Sequence, residues 1–363
     1  MTRLFPFWTY IFFFSLPVLP HQEATQAAPP PSTPANANAN TPITLDIVVN
    51  DKSGIPASGL QQQDFTILDN KQPQKILSFK AVGGTRSADD RLQVILVIDA
   101  VNTGFQRLSY GRLQVEKFLK QDAGKLALPM SIDFLSDSGL KIQDAASTDG
   151  NALIAYMAQN QNALRVSGRS QGFYGAADRA QLSLRSLGQL AEIEERQPGR
   201  KIVIWMSPGW ALLTGPSVQL TAKDQQNIFS TIVALSAQLR QARIALYAVD
   251  PLGTGDAGRF RTFYYEQFLK GVTAPAKAQF GNLALQVLAD QSGGRVLNSN
   301  NDIASEIETC IRDANAYYVL SYDPPPADGP NDYHAIEVKI DRPQLKAQTR
   351  SGYYAQPVQA HTP

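Results

Sequence analysis

Cysteine is almost absent from this sequence. Cys310 stands alone among 363 residues, so no disulfide can form within the chain and packing must hold the fold. Histidine is nearly as scarce, with only His21, His334 and His361. His21 lies close to an N-terminal apolar segment and His361 almost at the C-terminal end. Ser-His-Asp or Cys-His chemistry would therefore rest on His334 alone. Concentrated charge is missing too: 33 Lys and Arg face 32 Asp and Glu, leaving a formal net charge of +1. No block of like charges interrupts the mixture, which excludes the broad basic field that draws nucleic acid or an anionic membrane. No G-x-x-x-x-G-K phosphate cradle occurs.

Apolar material is plentiful, at 43% of residues, enough for a large core. Met1 to Arg3 gives a positive start, Leu4 to Leu19 is apolar and aromatic, and small residues follow around Ala27 and Ala28. That layout predicts a secretory signal over residues 1–28, hence export to the periplasm or beyond, with no membrane span after cleavage. An uncleaved anchor is the alternative, and two prolines and a short span count against it. Residues 29–41, rich in Pro, Ala and Asn, read as a flexible tether.

Beyond the tether, ITLDIVV (Ile43 to Val49), FTIL (Phe65 to Leu68) and QKILSFKAV (Gln74 to Val82) predict three strands, too few to bury a core unaided. Leu92 to Asp99 is a short, β-branched apolar run ending in a polar turn, the signature of a strand buried on both faces. Lys201 to Met206 and Ile244 to Val249 repeat it. Helical spacing fills the gaps at Leu108 to Lys120, Leu153 to Leu164, Leu182 to Ile193, around Ile228 to Leu239, and from Ile303 to Arg312 with Asp302 as cap. Met130 to Leu135 and Gly139 to Ile142 predict an edge hairpin, and Arg165 to Ala177 a Gly-rich surface loop. The alternation predicts an α/β fold with a doubly wound, mostly parallel, Rossmann-like sheet over residues 90–315. Residues 316–355 return to strand patterns. Pairing them with residues 42–84 predicts a smaller β-sandwich-like, Ig-like domain built from both chain ends, with the α/β part inserted in it.

The ordered stretches IVVNDKSGIPASGLQQQDFTILDNKQPQKI, VILVIDAVNT, KIVIWMSPGW, LADQSGGRVLNS, YYVLSYDPPP and RSGYYA resemble the von Willebrand factor type A (VWA)-related proteins abundant in acidobacteria. The resemblance spans roughly residues 43–355. It implies a VWA-like domain acting in adhesion or protein interaction, commonly through a metal ion held by an Asp-x-Ser-x-Ser motif, a later Thr and a later Asp. Here Asp99 matches the first carboxylate, Val101 and Thr103 stand at the two serines, Ser170 is the nearest hydroxyl to the Thr, and Pro208 stands at the last Asp, preceded by Ser207. Asp99 and Thr103 remain as a remnant. One carboxylate and one hydroxyl are a poor set for Mg²⁺ or Ca²⁺, so no cofactor is expected.

The candidate ligand-facing residues are thus Asp99, Asn102, Thr103, Ser207 and Trp210, at the edge where open α/β sheets bind ligands. Each has a plainer role open to it. Asp99, Asn102 and Thr103 suit turns and caps, and Trp210 is either a contact surface or a core residue under a turn. Phe260 to Phe268 reads as packing, Cys310 as a buried thiol and His334 as a surface histidine. The expected function is an exported, non-enzymatic interaction or adhesion module with a degraded metal motif and a protein or cell-envelope partner. A Mg²⁺- or Ca²⁺-dependent adhesion protein is the alternative, and an exported hydrolase using His334 a remote one.

Overall fold

The structure is a computed structural model and describes residues 41–83, 91–160, 173–210, 219–251, 265–298 and 300–357. The chain divides into two units, Met1–Ser32 and Thr33–Pro363, and every described residue lies in the second. The signal segment, most of the tether and Ser170 fall outside the described residues.

Four strands come first: β1 (Ile43–Asn50), β2 (Phe65–Asp69), β3 (Gln72–Gln74) and β4 (Ser78–Val82). Then follow β5 (Leu92–Asp99), α1 (Phe105–Leu119), β6 (Lys125–Ser136), β7 (Gly139–Lys141), β8 (Ser147–Asp149), α2 (Gly150–Gln159) and α3 (Phe173–Glu195). The alternation continues with β9 (Arg200–Met206), α4 (Ala222–Gln241), β10 (Ile244–Val249), α5 (Leu285–Gln291), β11 (Val296–Leu297) and α6 (Ile303–Asn315). The last strands are β12 (Tyr317–Tyr322), β13 (Asp332–Ile340), β14 (Lys346–Gln348) and β15 (Gly352–Ala355).

The central sheet runs β11-β10-β9-β5-β6-β7, with β8 also on β6. Its neighbours from β11 to β6 pair in parallel, and only β7 and β8 are antiparallel, at the β6 edge. Successive strand residues point to opposite faces, and helices cover both. Val94, Leu96, Ile98, Ile202 and Ile204 pack under α1, α2 and α6, while Ile95, Val97, Val203 and Trp205 pack under α3, α4 and α5. Hence the apolar runs are unbroken rather than alternating. Local signals place the helix starts. Asp149 caps α2 by accepting from the Asn151 N–H at 2.8 Å, Thr221 and Asp224 form a capping box at α4, and Asp302 caps α6 as expected.

Strands from the two chain ends make two four-stranded antiparallel sheets, β14-β1-β12-β4 and β15-β13-β2-β3. Leu45 and Ile47 of the first share one buried cluster with Phe65, Ile67 and Tyr353 of the second. Several details depart from the sequence expectations. The stretch Gln74 to Val82 is not one strand: β3 closes a hairpin on β2, the chain then crosses over, and β4 pairs with β12 in the other sheet. Residues 173–177 belong to α3 rather than to a loop. Helix α2 stops at Gln159, and residues 161–172 lie outside the described residues. His334 is buried, 3% exposed, because period two puts it on the inward face of β13 with Ile336. Cys310 is fully buried in the core, as expected, and burial pushes its thiol well above the usual range. No helix among the described residues is long and apolar enough to cross a membrane.

Candidate functional site at the carboxyl edge of the central sheet

The chain winds from β5 to β6 on one side, then returns to β9 on the other. Strand order therefore reverses between β5 and β9, and the crevice outside their carboxyl ends is the expected ligand position in such sheets. Asp99 ends β5 and Ser207 follows β9, so both belong to this switch point.

Asp99 is completely buried. Its Oδ1 accepts the backbone N–H groups of Val101 and Asn102, each at 2.9 Å. Its Oδ2 accepts from Asn102 Nδ2 at 2.8 Å and from the indole Nε1 of Trp205 at 3.1 Å. Four N–H donors thus converge on one carboxyl group. Burial raises its pKa above the usual carboxylate value, against the opposing pull of hydrogen bonds from Asn102, Trp205 and Ser207. Asn102 also ties the turn to α3, donating to Ser183 Oγ at 2.9 Å.

Of the other candidates, Asn102 is half-buried and the rest are buried. Thr103 is 2% exposed, Ser207 1% and Trp210 5%. Ser207 Oγ accepts from the Gly209 N–H at 3.2 Å and so turns the chain after β9. Trp210 meets Trp205 edge to face, with ring centroids 5.7 Å apart, so it takes the core role rather than that of an exposed anchor. Among the described residues, Asn102 Oδ1, Thr103 Oγ1 and Trp210 Nε1 are buried without a hydrogen-bond partner. Asp99 acts as the staple of its own turn. Asp250, at the end of β10, is also buried and does not reach Asp99 through any hydrogen bond among the described residues.

A divalent cation of the kind that the VWA resemblance implies does not fit these residues. A cation needs oxygen lone pairs, and both Asp99 oxygens already face N–H dipoles whose positive ends would repel it. The first serine position is the apolar Val101, and no group of three His, Cys, Asp or Glu side chains suited to a metal occurs among the described residues. Nothing in a single strand of letters marks Trp205 as part of this set, since it reads as one more core residue of β9.

Sequence reasoning missed two further polar clusters. Asp133, on β6, is fully buried, accepts the Gln143 N–H at 3.0 Å and leaves Oδ2 without a partner. Burial, with a smaller push from Glu194, raises its pKa to about 7. His334 Nδ1 lies 2.8 Å from Asp69 Oδ1, and Asp69 Oδ2 accepts from Tyr322 and Tyr353 hydroxyls at 2.9 and 2.8 Å. His334 Nε2 lies 3.4 Å from Asp332 Oδ2. This Asp-His pair is sealed in the core between the chain-end sheets, and no serine or cysteine hydrogen-bonds the imidazole among the described residues.

No protein-family model matches the sequence, and no curated protein matches it. Solved structures with a similar arrangement include the pilus adhesin SpaC from Lactobacillus rhamnosus GG in its open conformation (9% identity, 81% of this chain and 48% of that one, TM-score 0.36). They also include the manganese-loaded TRAP protein of Plasmodium vivax (10% identity, 76% and 98%, TM-score 0.33) and the SpRpn10 VWA domain (11% identity, 60% and 94%, TM-score 0.29). The chain spans about half the length of the adhesin. One of these neighbours is itself a VWA domain. At these scores the likeness bears on no residue of the site.

Proposed function

We propose that this chain is an exported, non-enzymatic interaction module whose VWA-like part recognises a protein or cell-envelope partner without a metal ion. The α/β part is inserted in a β-sandwich-like, Ig-like domain built from both chain ends. One observation carries the metal-free reading: backbone amides, the Asn102 amide and the Trp205 indole occupy Asp99, the one carboxylate left from the motif. In this role the Asp99 cluster shapes the carboxyl edge of the sheet rather than touching the partner. Contact falls to side chains around it, of which Phe105, 70% exposed at the start of α1, is the most apolar.

Affinity capture and crosslinking of the full chain against cell-envelope proteins, with and without EDTA, test this reading. The expected result is the same captured partner in both arms and weaker capture by Phe105→Ser. Loss of capture on chelation would favour the metal-dependent alternative, with Asp99 and Thr103 in its site. Capture unchanged by Phe105→Ser would move the contact surface elsewhere.

A further inference from the structure

Three arginines meet where the C-terminal turn of α4 abuts β1 and the β14–β15 connection. Arg240 lies in the last turn of α4, Arg243 follows the C-cap of that helix, and Arg350 lies just before β15. Arg350 is 8% exposed. Arg243 is matched: its Nε, at 3.3 Å, and its Nη2 both donate to Asp46 on β1. It does so from a left-handed backbone conformation, φ 53°, at the helix-terminating position where glycine is preferred.

Arg240 and Arg350 have no such match. Among the described residues, no carboxylate hydrogen-bonds to either guanidinium. Burial lowers the pKa of both, that of Arg350 to about 10, and the Arg240 charge acts on Arg350 in the same direction. Asp46 acts on Arg350 in the opposite direction, but its carboxylate is already held by Arg243. The C-terminal dipole of α4 amounts to only about half a negative charge. Three guanidinium groups against the single Asp46 carboxylate leave two positive charges uncompensated.

These charges line a small cleft together with Thr44, Asp46 and Thr349. The Thr349 hydroxyl is buried there without a hydrogen-bond partner. Buried cations are ordinarily paired, so a cleft that holds the buried Arg350, the half-buried Arg240 and an idle hydroxyl is complementary to an anion.

We propose that this cleft binds a phosphate group, gripped by the planar forks of Arg240 and Arg350 with the Thr349 hydroxyl donating to a third oxygen. A phosphate near neutral pH carries close to two negative charges and matches the two uncompensated positive ones, whereas a carboxylate matches one. The phosphate is either free or carried by a larger ligand.

The experiment is calorimetry and thermal melting of the full chain with inorganic phosphate, against chloride and acetate at equal ionic strength. The expected result is a saturable heat and a dose-dependent rise in melting temperature with phosphate alone. Arg350→Met should weaken phosphate binding by roughly tenfold or more, and without phosphate it should melt at or above the wild-type temperature, because it removes an unmatched buried charge. If Arg350→Met fails to fold, Arg240→Met carries the same test. O-phosphoserine binding tighter than inorganic phosphate assigns the site to a ligand-borne phosphate, and the reverse assigns it to the free ion. Absence of phosphate-specific heat at millimolar concentration, equal binding of acetate, or undiminished binding by the Met variants would each overturn the proposal.

Discussion

The Trp205 indole N–H donates to Oδ2 of Asp99 at 3.1 Å, joining the ends of two adjacent parallel strands inside the sheet's carboxyl edge. An aspartate at this place in the fold needs compensation for its burial, and here nitrogen donors provide it. Trp205→Phe removes the donor and also shrinks the bicyclic indole to one ring in a fully buried position, so its expected cost is the lost bond, about 1–3 kcal/mol, plus that of the cavity, read from urea midpoints. Combined with Asp99→Asn, the two losses should be clearly non-additive, because each variant removes the same bond. Additive losses would mean that the two groups act independently.

Millimolar Mg²⁺ or Ca²⁺ should leave the melting temperature of the wild type unchanged, since Asp99 has no free lone pairs to offer. A metal-dependent rise that Asp99→Asn abolishes would overturn this expectation.

Asp133 sets a pH dependence with a definite sign. Its folded pKa, about 7, lies above its ordinary 3.8, so the folded state holds the proton more tightly than the unfolded chain does. Its contribution is fully present below about pH 4 and is lost as pH rises toward 7. At about 1.4 kcal/mol per pKa unit, the ceiling of that loss is about 4 kcal/mol. Stability measured by urea from pH 4 to 8 should fall less steeply in Asp133→Asn, and this variant should be the more stable protein at pH 8. Parallel curves for the two proteins would refute the assignment.

Asp313, fully buried on α6, gathers Asn50 from β1 at 3.1 Å, Tyr247 from β10 at 3.3 Å and Arg295 at 3.2 Å. Removing it leaves a half-buried guanidinium and two polar side chains without their shared partner. Asp313→Ala should therefore cost about 3–5 kcal/mol, more than Asp313→Asn, as read by chemical denaturation. Equal costs would mean that the charge contributes nothing beyond shape.

The parallel sheet was legible because its strands are buried on both faces, and a run such as Val94 to Ile98 leaves few other choices. The sheet crossing between β3 and β4 was not, because alternating residues look alike on either side of a break. His334 could have been placed: it shares the period-two face of Ile336, Val338 and Ile340. Reading the histidine as an exposed polar residue overrode that pattern. The role of Trp205 could not have been found this way. Its partner lies 106 residues away, and an indole in a core strand carries no local mark of its N–H bond. Asp99 ends β5 as its place after the apolar run implies, yet sequence spacing says nothing about which donors close over it.

Strand β1 takes its hydrogen bonds from β12 and β14, pairing Ile43 with Tyr322 and Asn50 with Lys346. During synthesis, β1 must wait for β12 and β14, far later in the chain, before either of its edges is satisfied. Such long-range closure slows folding and leaves a sticky edge in the meantime. A nascent chain stalled before Tyr317 should therefore bind holdase chaperones that release the finished protein.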